Sequence, residues 1–156
     1  MDYDSIVEEN IGAVYRLALS YCRNKADAED VVQNTFARLL ETKTDFQDQG
    51  HVKRWLMRVA INESKNLLKS FWKKNVSSIE VLKTEPEGRM QENIDFIDQI
   101  YKLPPKYRVV IHLYYFEGYR VQEIADILNI SKSNVQVRLL RARNRLKNQM
   151  GGQLYE

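Results

Sequence analysis

Apolar residues recur along this chain at spacings of three and four, the period of a helix buried on one side, and no stretch sustains the alternation of a half-buried strand. Ile11, Val14, Tyr15, Leu17, Ala18 and Tyr21 share one helical face, and Ser5 with Glu8 has the spacing of a capping box, so a first helix is predicted to open at Asp4 or Ser5. A second is predicted to follow Asn24, with Asp27, Glu29 and Asp30 near its positive end. It would bury Ala28, Val31, Val32, Phe36, Leu39 and Leu40, leaving Glu29, Asp30, Gln33, Asn34, Arg38 and Glu41 as a polar opposite face. Residues 42–50, TKTDFQDQG, read as a loop.

The pattern over 52–74 predicts a third helix of different character. Trp55, Leu56, Val59, Ala60 and Leu67 lie on one side, and Arg54, Arg58, Lys65, Lys69 and Trp72 lie on the other. The result is a cationic stripe that ends in aromatics. Glu63 falls on the apolar side, where a rim position or a partner on another helix would account for it. Residues 76–93, VSSIEVLKTEPEGRMQEN, hold no persistent apolar face and read as a linker. Fully extended it would span up to roughly 60 Å, and as a flexible chain about 25 Å. Helices resume near Ile94. Pro104-Pro105 then breaks the chain, and Pro105 suits the first position of a helix running to Phe116.

Residues 121–147, VQEIADILNISKSNVQVRLLRARNRLK, have the spacing of a helix-turn-helix. Ile124, Ala125 and Leu128 pack the first helix, Asn129 takes a left-handed turn position, Ile130 plugs the turn, Ser131 caps the second helix, and Val135 and Leu139 face inward. The start of that second helix would present Lys132, Ser133, Asn134, Gln136, Val137 and Arg138, with Arg141, Arg143, Arg145 and Lys147 extending its basic character. Asn and Gln bridge an adenine edge and Arg a guanine edge or a phosphate, so these residue types suit base reading. A protein-interaction helix pair is the plainer alternative.

Composition removes most other classes. The chain has 156 residues and a single cysteine, Cys22, so no internal disulfide forms, and His51 and His112 are too far apart in sequence to build a clustered zinc site with it. No apolar run approaches the roughly 20 residues of a membrane-spanning helix, and the acidic start, MDYDSIVEEN, lacks the layout of a secretion signal, so a cytoplasmic protein without membrane insertion is expected. Only eight residues follow Asn148, so no appended sensory domain is expected. No paired carboxylates or glycine-rich phosphate loop suggest catalysis, and neither metal nor cofactor is expected. The net charge of +3 hides a segregation: the balance is −5 over 1–50, +6 over 51–75, −4 over 76–100 and +6 over 101–156. Two basic segments kept apart by an acidic one suit a polyanion-binding protein with two contact surfaces. Trp55 and the run Tyr114, Tyr115 and Phe116 are expected to pack between helices, His51 and His112 to be ordinary polar or half-buried residues, and Cys22 to behave as a small apolar one. Phe71 and Trp72 suit either base stacking or closure of the domain.

DAEDVVQNTFARLLE (27–41), WLMRVAINESKNLLK (55–69) and LPPKYRVVIHLYYFEGYRVQEIADILNISKSNVQVRLLRARNRLK (103–147), in that order and separated by a linker, resemble regions 2.2, 2.3 to 2.4, and 4 of the sigma-70 family, specifically its extracytoplasmic-function (ECF) group. The resemblance implies an all-α protein of two small helical domains: region 2 over 1–75, a linker over 76–93, and region 4 over 94–150. It implies a catalytically inert initiation factor that brings core RNA polymerase to promoters and helps open them. Asp30, Gln33, Asn34 and Arg38 would dock on the β′ clamp helices, and the β flap would be a second polymerase contact. Arg54, Arg58, Asn62, Lys65, Asn66 and Lys69, with the loop before Trp55, would capture the minus-10 element as an unstacked strand. Lys132, Ser133, Asn134, Gln136, Val137, Arg138 and Arg141 would read the minus-35 duplex, and an anti-sigma factor is the implied regulator.

The sequence departs from the family pattern at positions that set promoter preference. Asn66 and Lys69 stand where Asp and Arg are common, Ser133-Asn134 replaces a frequent Gly-Thr pair, and Gln136 replaces a basic residue. Arg120 replaces a serine, which leaves the following helix without an assigned cap. The competing reading is a self-sufficient helix-turn-helix regulator with an N-terminal dimerisation domain. The cationic stripe over 54–69 separates the two, because a dimerisation domain does not need it.

Overall fold

The computed structural model describes residues 2–74 and 94–151, with the side chains of 71–74 and of 94 and 95 left aside. The chain divides into two compact units between Glu87 and Gly88, so the expected linker over 76–93 lies outside the described residues, as do the side chains of Phe71 and Trp72. All regular structure among the described residues is helical.

The first unit is a bundle of α1 (Tyr3–Cys22), α2 (Lys25–Glu41) and α3 (Gln49–Lys74), each packed on the other two. Its ends are set by local chemistry. Asp2, rather than Ser5, caps α1: the Asp2 carboxylate accepts the Ser5 N–H at 3.2 Å and the Ser5 hydroxyl at 3.1 Å, so the helix begins a turn earlier than the Ser5–Glu8 spacing predicts. Arg23 closes α1 in the left-handed region (φ 68°), and Asn24 caps α2 as expected, its Oδ1 accepting the Asp27 N–H at 2.9 Å. α3 begins at Gln49, inside the predicted loop, where the Asp48 carboxylate accepts the His51 N–H at 2.7 Å.

The bundle core holds Val14, Leu17, Val31, Phe36, Leu56, Met57 and Ala60. Its short polar residues are satisfied within their own helices: Asn10 donates to the Ile6 carbonyl, Thr35 to Val31 and Ser64 to Ala60, at 2.7 to 2.8 Å. Several residues of the expected apolar faces sit further out: Leu40 is 67% exposed, Ile11 is exposed, and Tyr15, Val32, Val59 and Leu67 are half-buried. Trp55 is likewise half-buried, not core.

The second unit comprises α4 (Ile94–Tyr101), α5 (Pro105–Ile111), a π-helical turn (His112–Phe116), α6 (Val121–Leu128) and α7 (Lys132–Gln149), with α7 packed against α4, α5 and α6. Pro105 opens α5 as predicted, and buried Arg108 donates to the Leu103 carbonyl at 2.7 Å and so ties α5 to the chain before it. The single helix expected to reach Phe116 instead widens after Ile111: the Glu117 N–H reaches the His112 carbonyl five residues back, at 3.0 Å. In consequence Tyr114, Tyr115 and Phe116 are exposed rather than packed between helices, the last two at 54% each. His112 is buried, its Nε2 2.9 Å from the nearly enclosed Glu117 carboxylate and its ring stacked on Phe116, so the expectation of an ordinary half-buried histidine is corrected.

Candidate nucleic-acid and polymerase interfaces

On α2 the residues Asp30, Gln33, Asn34 and Arg38 are all exposed along one strip, since their spacing follows the helical repeat. Three of them stand out in solvent, but Arg38 is tied down: its Nε donates to Glu63 on α3, whose side chain is only 12% exposed. This ion pair explains Glu63 on the otherwise apolar side of α3, and it links the two helices at the edge of the polar strip. Replacing Glu63 by Gln is expected to lower stability by about 0.2–1 kcal/mol at low salt, a difference that shrinks in 1 M salt; denaturant unfolding at both ionic strengths checks it.

The next face of the bundle is cationic. Arg58, Asn62, Lys65, Asn66 and Lys69 are exposed over three turns of α3, a rise of about 16 Å, whereas Arg54 is half-buried and engaged with a neighbour. At the head of this strip the Phe46 ring stands edge-on to His51 (centroids 5.2 Å apart) and to Trp55 (5.4 Å), and the Gln47 N–H donates to His51 Nδ1 at 3.1 Å. The loop before α3 is thereby held on the first two turns of the helix as an aromatic and hydrogen-bonded shelf. The sequence does not single out Phe46, and His51 is half-buried as expected; an aromatic three residues before a helix whose seventh position is another aromatic is the available signal.

In the second unit the turn between α6 and α7 forms as predicted. Asn129 is left-handed (φ 56°, ψ 47°), the Ile130 N–H donates to the Ala125 carbonyl at 3.1 Å, and Ser131 Oγ accepts the Asn134 N–H at 3.0 Å. The cap of α6, unassigned from sequence, is a reach-back: Glu123 Oε1 accepts the Arg120 backbone N–H at 2.9 Å. Ile124, Ala125, Val135 and Leu139 are buried as expected, but Ile127 is buried in place of Leu128.

The predicted readers at the start of α7 separate by flank. Lys132, Ser133, Asn134, Gln136, Val137 and Arg141 are exposed, while Arg138 is half-buried and donates from Nε to Asn134 Oδ1 at 3.2 Å. Asn134, Arg138, Arg141 and Arg145 form one strip down the helix, and Gln136 shares the opposite flank with Leu140, Arg143 and Lys147. The later turns of that opposite flank border an apolar groove. Phe96, Ile100, Tyr115, Phe116, Leu140 and Leu146 line a groove of about 560 Å³ along it, and Arg143 donates to the Tyr115 hydroxyl at 2.7 Å. Among the described residues no cluster of His, Cys, Asp or Glu converges as a metal site, and no helix is long and apolar enough to cross a membrane.

Comparison with known proteins fits both units. The sigma-70 region 2 family matches residues 6–74 and the sigma-70 region 4 family residues 95–146. The ECF RNA polymerase sigma factor SigM of Bacillus subtilis strain 168 is 30% identical over 154 residues, covering 94% of each chain. The RNA polymerase sigma factor SigV of the same strain is 28% identical over 130 residues, covering 82% of this chain and 78% of SigV. In fold the chain is similar to the sigma factor RpoE solved with the anti-sigma factor NepR from Bartonella quintana (TM-score 0.80, 22% identity, 98% of this chain and 99% of that one). It is also similar in fold to CnrH solved with the cytosolic domain of CnrY (TM-score 0.71, 24% identity, 97% and 89%). A three-helix bundle with exposed acidic-polar and cationic faces, followed by a helix-turn-helix unit, thus matches family regions in their expected order: the chain belongs to the sigma-70 family, as an ECF sigma factor that directs RNA polymerase in transcription initiation and is not itself an enzyme.

Proposed function

We propose that this sigma factor divides its task among three surfaces. Asp30, Gln33, Asn34 and Arg38 on α2 contact the β′ clamp helices of core polymerase, the α3 strip with its aromatic shelf holds the minus-10 strand, and the first turns of α7 read the minus-35 duplex. The observation that carries this reading is that the polar face of α2 and the cationic face of α3 are both exposed on one bundle yet distinct, so protein and nucleic acid need not compete for them. Within the cationic face, Asn62 and Asn66 add hydrogen-bonding groups that an unstacked base requires and that a purely electrostatic surface lacks.

The domain limits that go with this reading are 1–75 and 94–150, joined by a linker over 76–93, and the site of action is the cytoplasm. The β flap is assigned to the second unit, whose exposed apolar groove has the chemistry of a protein-binding surface. Regulation by an anti-sigma factor is part of this proposal, by analogy with the sigma factor RpoE, which was solved with the anti-sigma factor NepR. Run-off transcription with purified core polymerase, with and without this protein, tests the assignment. Asn62→Ala is expected to reduce strand opening, read by permanganate reactivity, by about 2- to 10-fold while leaving duplex binding within twofold. Equal losses in both assays would remove Asn62 from the melted strand.

A further inference from the structure

The second unit contains a cationic cluster that the proposed promoter contacts only touch. Tyr107, the third residue of α5, is buried, and three cations from two helices gather around it. The Lys106 ammonium lies 5.1 Å from the ring centroid and the Arg145 guanidinium 5.0 Å, and the Arg141 side chain lies beside the Tyr107 phenol. Lys106, Arg141 and Arg145 are themselves exposed, and no carboxylate among the described residues forms an ion pair with any of them.

Such a cluster is costly to assemble without a counter-charge, because like charges gathered on one patch repel. The ring gives Lys106 and Arg145 an electron-rich face, which holds their orientation without neutralising charge. Burial works to raise the Tyr107 phenol, but the neighbouring Arg141, Lys106 and Arg145 cations outweigh it and hold the phenol below its ordinary value. The charge therefore remains available to a ligand carrying several negative groups in a row. Arg141 and Arg145 stand one turn apart, about 6 Å, on the same strip of α7 as Asn134 and Arg138, so the cluster continues the base-reading surface away from the turn.

We propose that Lys106, Arg141 and Arg145 form a clamp for consecutive phosphates of the promoter duplex, with Tyr107 as its positioning residue. The proposal rests on the reading of α7 as the duplex-binding helix and extends it to two residues of α5 and the last turns of α7. Phosphate contacts set register rather than sequence, which is the role expected of groups lying about two and a half to three and a half turns beyond the helix start. An acidic protein surface is the competing ligand. Continuity with the Asn134–Arg138 strip favours DNA.

The test uses holoenzyme reconstituted with core polymerase, closed complexes on a promoter fragment that supports run-off transcription, and the same fragment with its upstream element scrambled. Arg145→Ala is expected to weaken both complexes by a similar factor, about tenfold, and to make the slope of log affinity against log salt shallower by about 0.9. Tyr107→Phe, which keeps the ring but drops the hydroxyl, is expected to weaken both by less. Tyr107→Leu is expected to approach the effect of losing two cations, although both charges remain. Amide exchange of α5 and α7 unchanged in Tyr107→Phe shows that the loss is not one of folding. An unchanged salt slope in Arg145→Ala, in a holoenzyme where Arg138→Ala does weaken the promoter complex, overturns the clamp and leaves the reading of α7 standing. No effect from either substitution overturns that reading itself. Loss of core binding in Arg145→Ala with unaltered DNA affinity assigns the cluster to a protein surface and overturns the clamp.

Discussion

Truncation of Leu139 to alanine is expected to destabilise the second unit by about 2–5 kcal/mol, the cost of removing a buried leucine side chain from a site that only partly collapses. Leu139 is 2% exposed on the inner face of α7, in line with the buried residues Val135, Ala142 and Leu146, where α7 packs on α5 and α6. For a unit of this size such a loss is comparable to the entire folding free energy, at about 0.05–0.15 kcal/mol per residue. Amide exchange locates the damage. Protection should fall throughout α5, α6 and α7 and remain in α1, α2 and α3, which have a core of their own. Protection lost equally in the three-helix bundle would show that the two units fold as one cooperative body.

Replacing Arg138 by alanine has the second large expected effect. Closed-complex affinity for the preferred promoter should fall by about 1–3 kcal/mol and the salt slope should become shallower by about one. Arg138 is held by Asn134 through a 3.2 Å hydrogen bond across one turn, so under the proposed reading the two side chains would meet the groove as a pair. Asn134→Ala and the double substitution complete a cycle. Non-additivity above about 0.5 kcal/mol is expected because each residue orients the other. Strict additivity would place them on independent contacts, and specificity unchanged at every base pair would confine Arg138 to the backbone.

The parts of this structure legible in the sequence are those decided within a few residues. Asn24, Asn129, Ser131 and Pro105 act through their own side chains or rings on the adjacent backbone, and each stands where its chemistry predicts. Asp2 and Ser5 are equally good caps by local pattern, and only the geometry shows that Ser5 donates to Asp2. Periodicity located the buried face of each helix but not its width, so Leu40 and Ile11 at the margins were placed inside when they lie out. The strips on α2, α3 and α7 were readable for the same reason. What joins them was not: Arg38 meets Glu63 across 25 residues of sequence, Arg143 meets Tyr115 across 28, and the Tyr107 cluster brings α5 to the far end of α7. Such pairings depend on how helices cross, which no local pattern encodes.

The wide turn at His112–Phe116 bears on how chains of this kind change in length. A hydrogen bond from Glu117 back to His112 encloses one residue more than an α-helical turn holds, so this turn accommodates one residue beyond the regular count. Removing one residue here would return the segment to the α-helical period and rotate every later side chain of the turn by about 100°. A deletion elsewhere in α5 would instead carry Val109, Val110 and Ile111 out of the core. The segment is therefore where a one-residue gap belongs when relatives whose helix is regular throughout are aligned with this chain, and where a change of length after Leu113 alters the exposed aromatic surface while Val109, Val110 and Ile111 keep their places in the core.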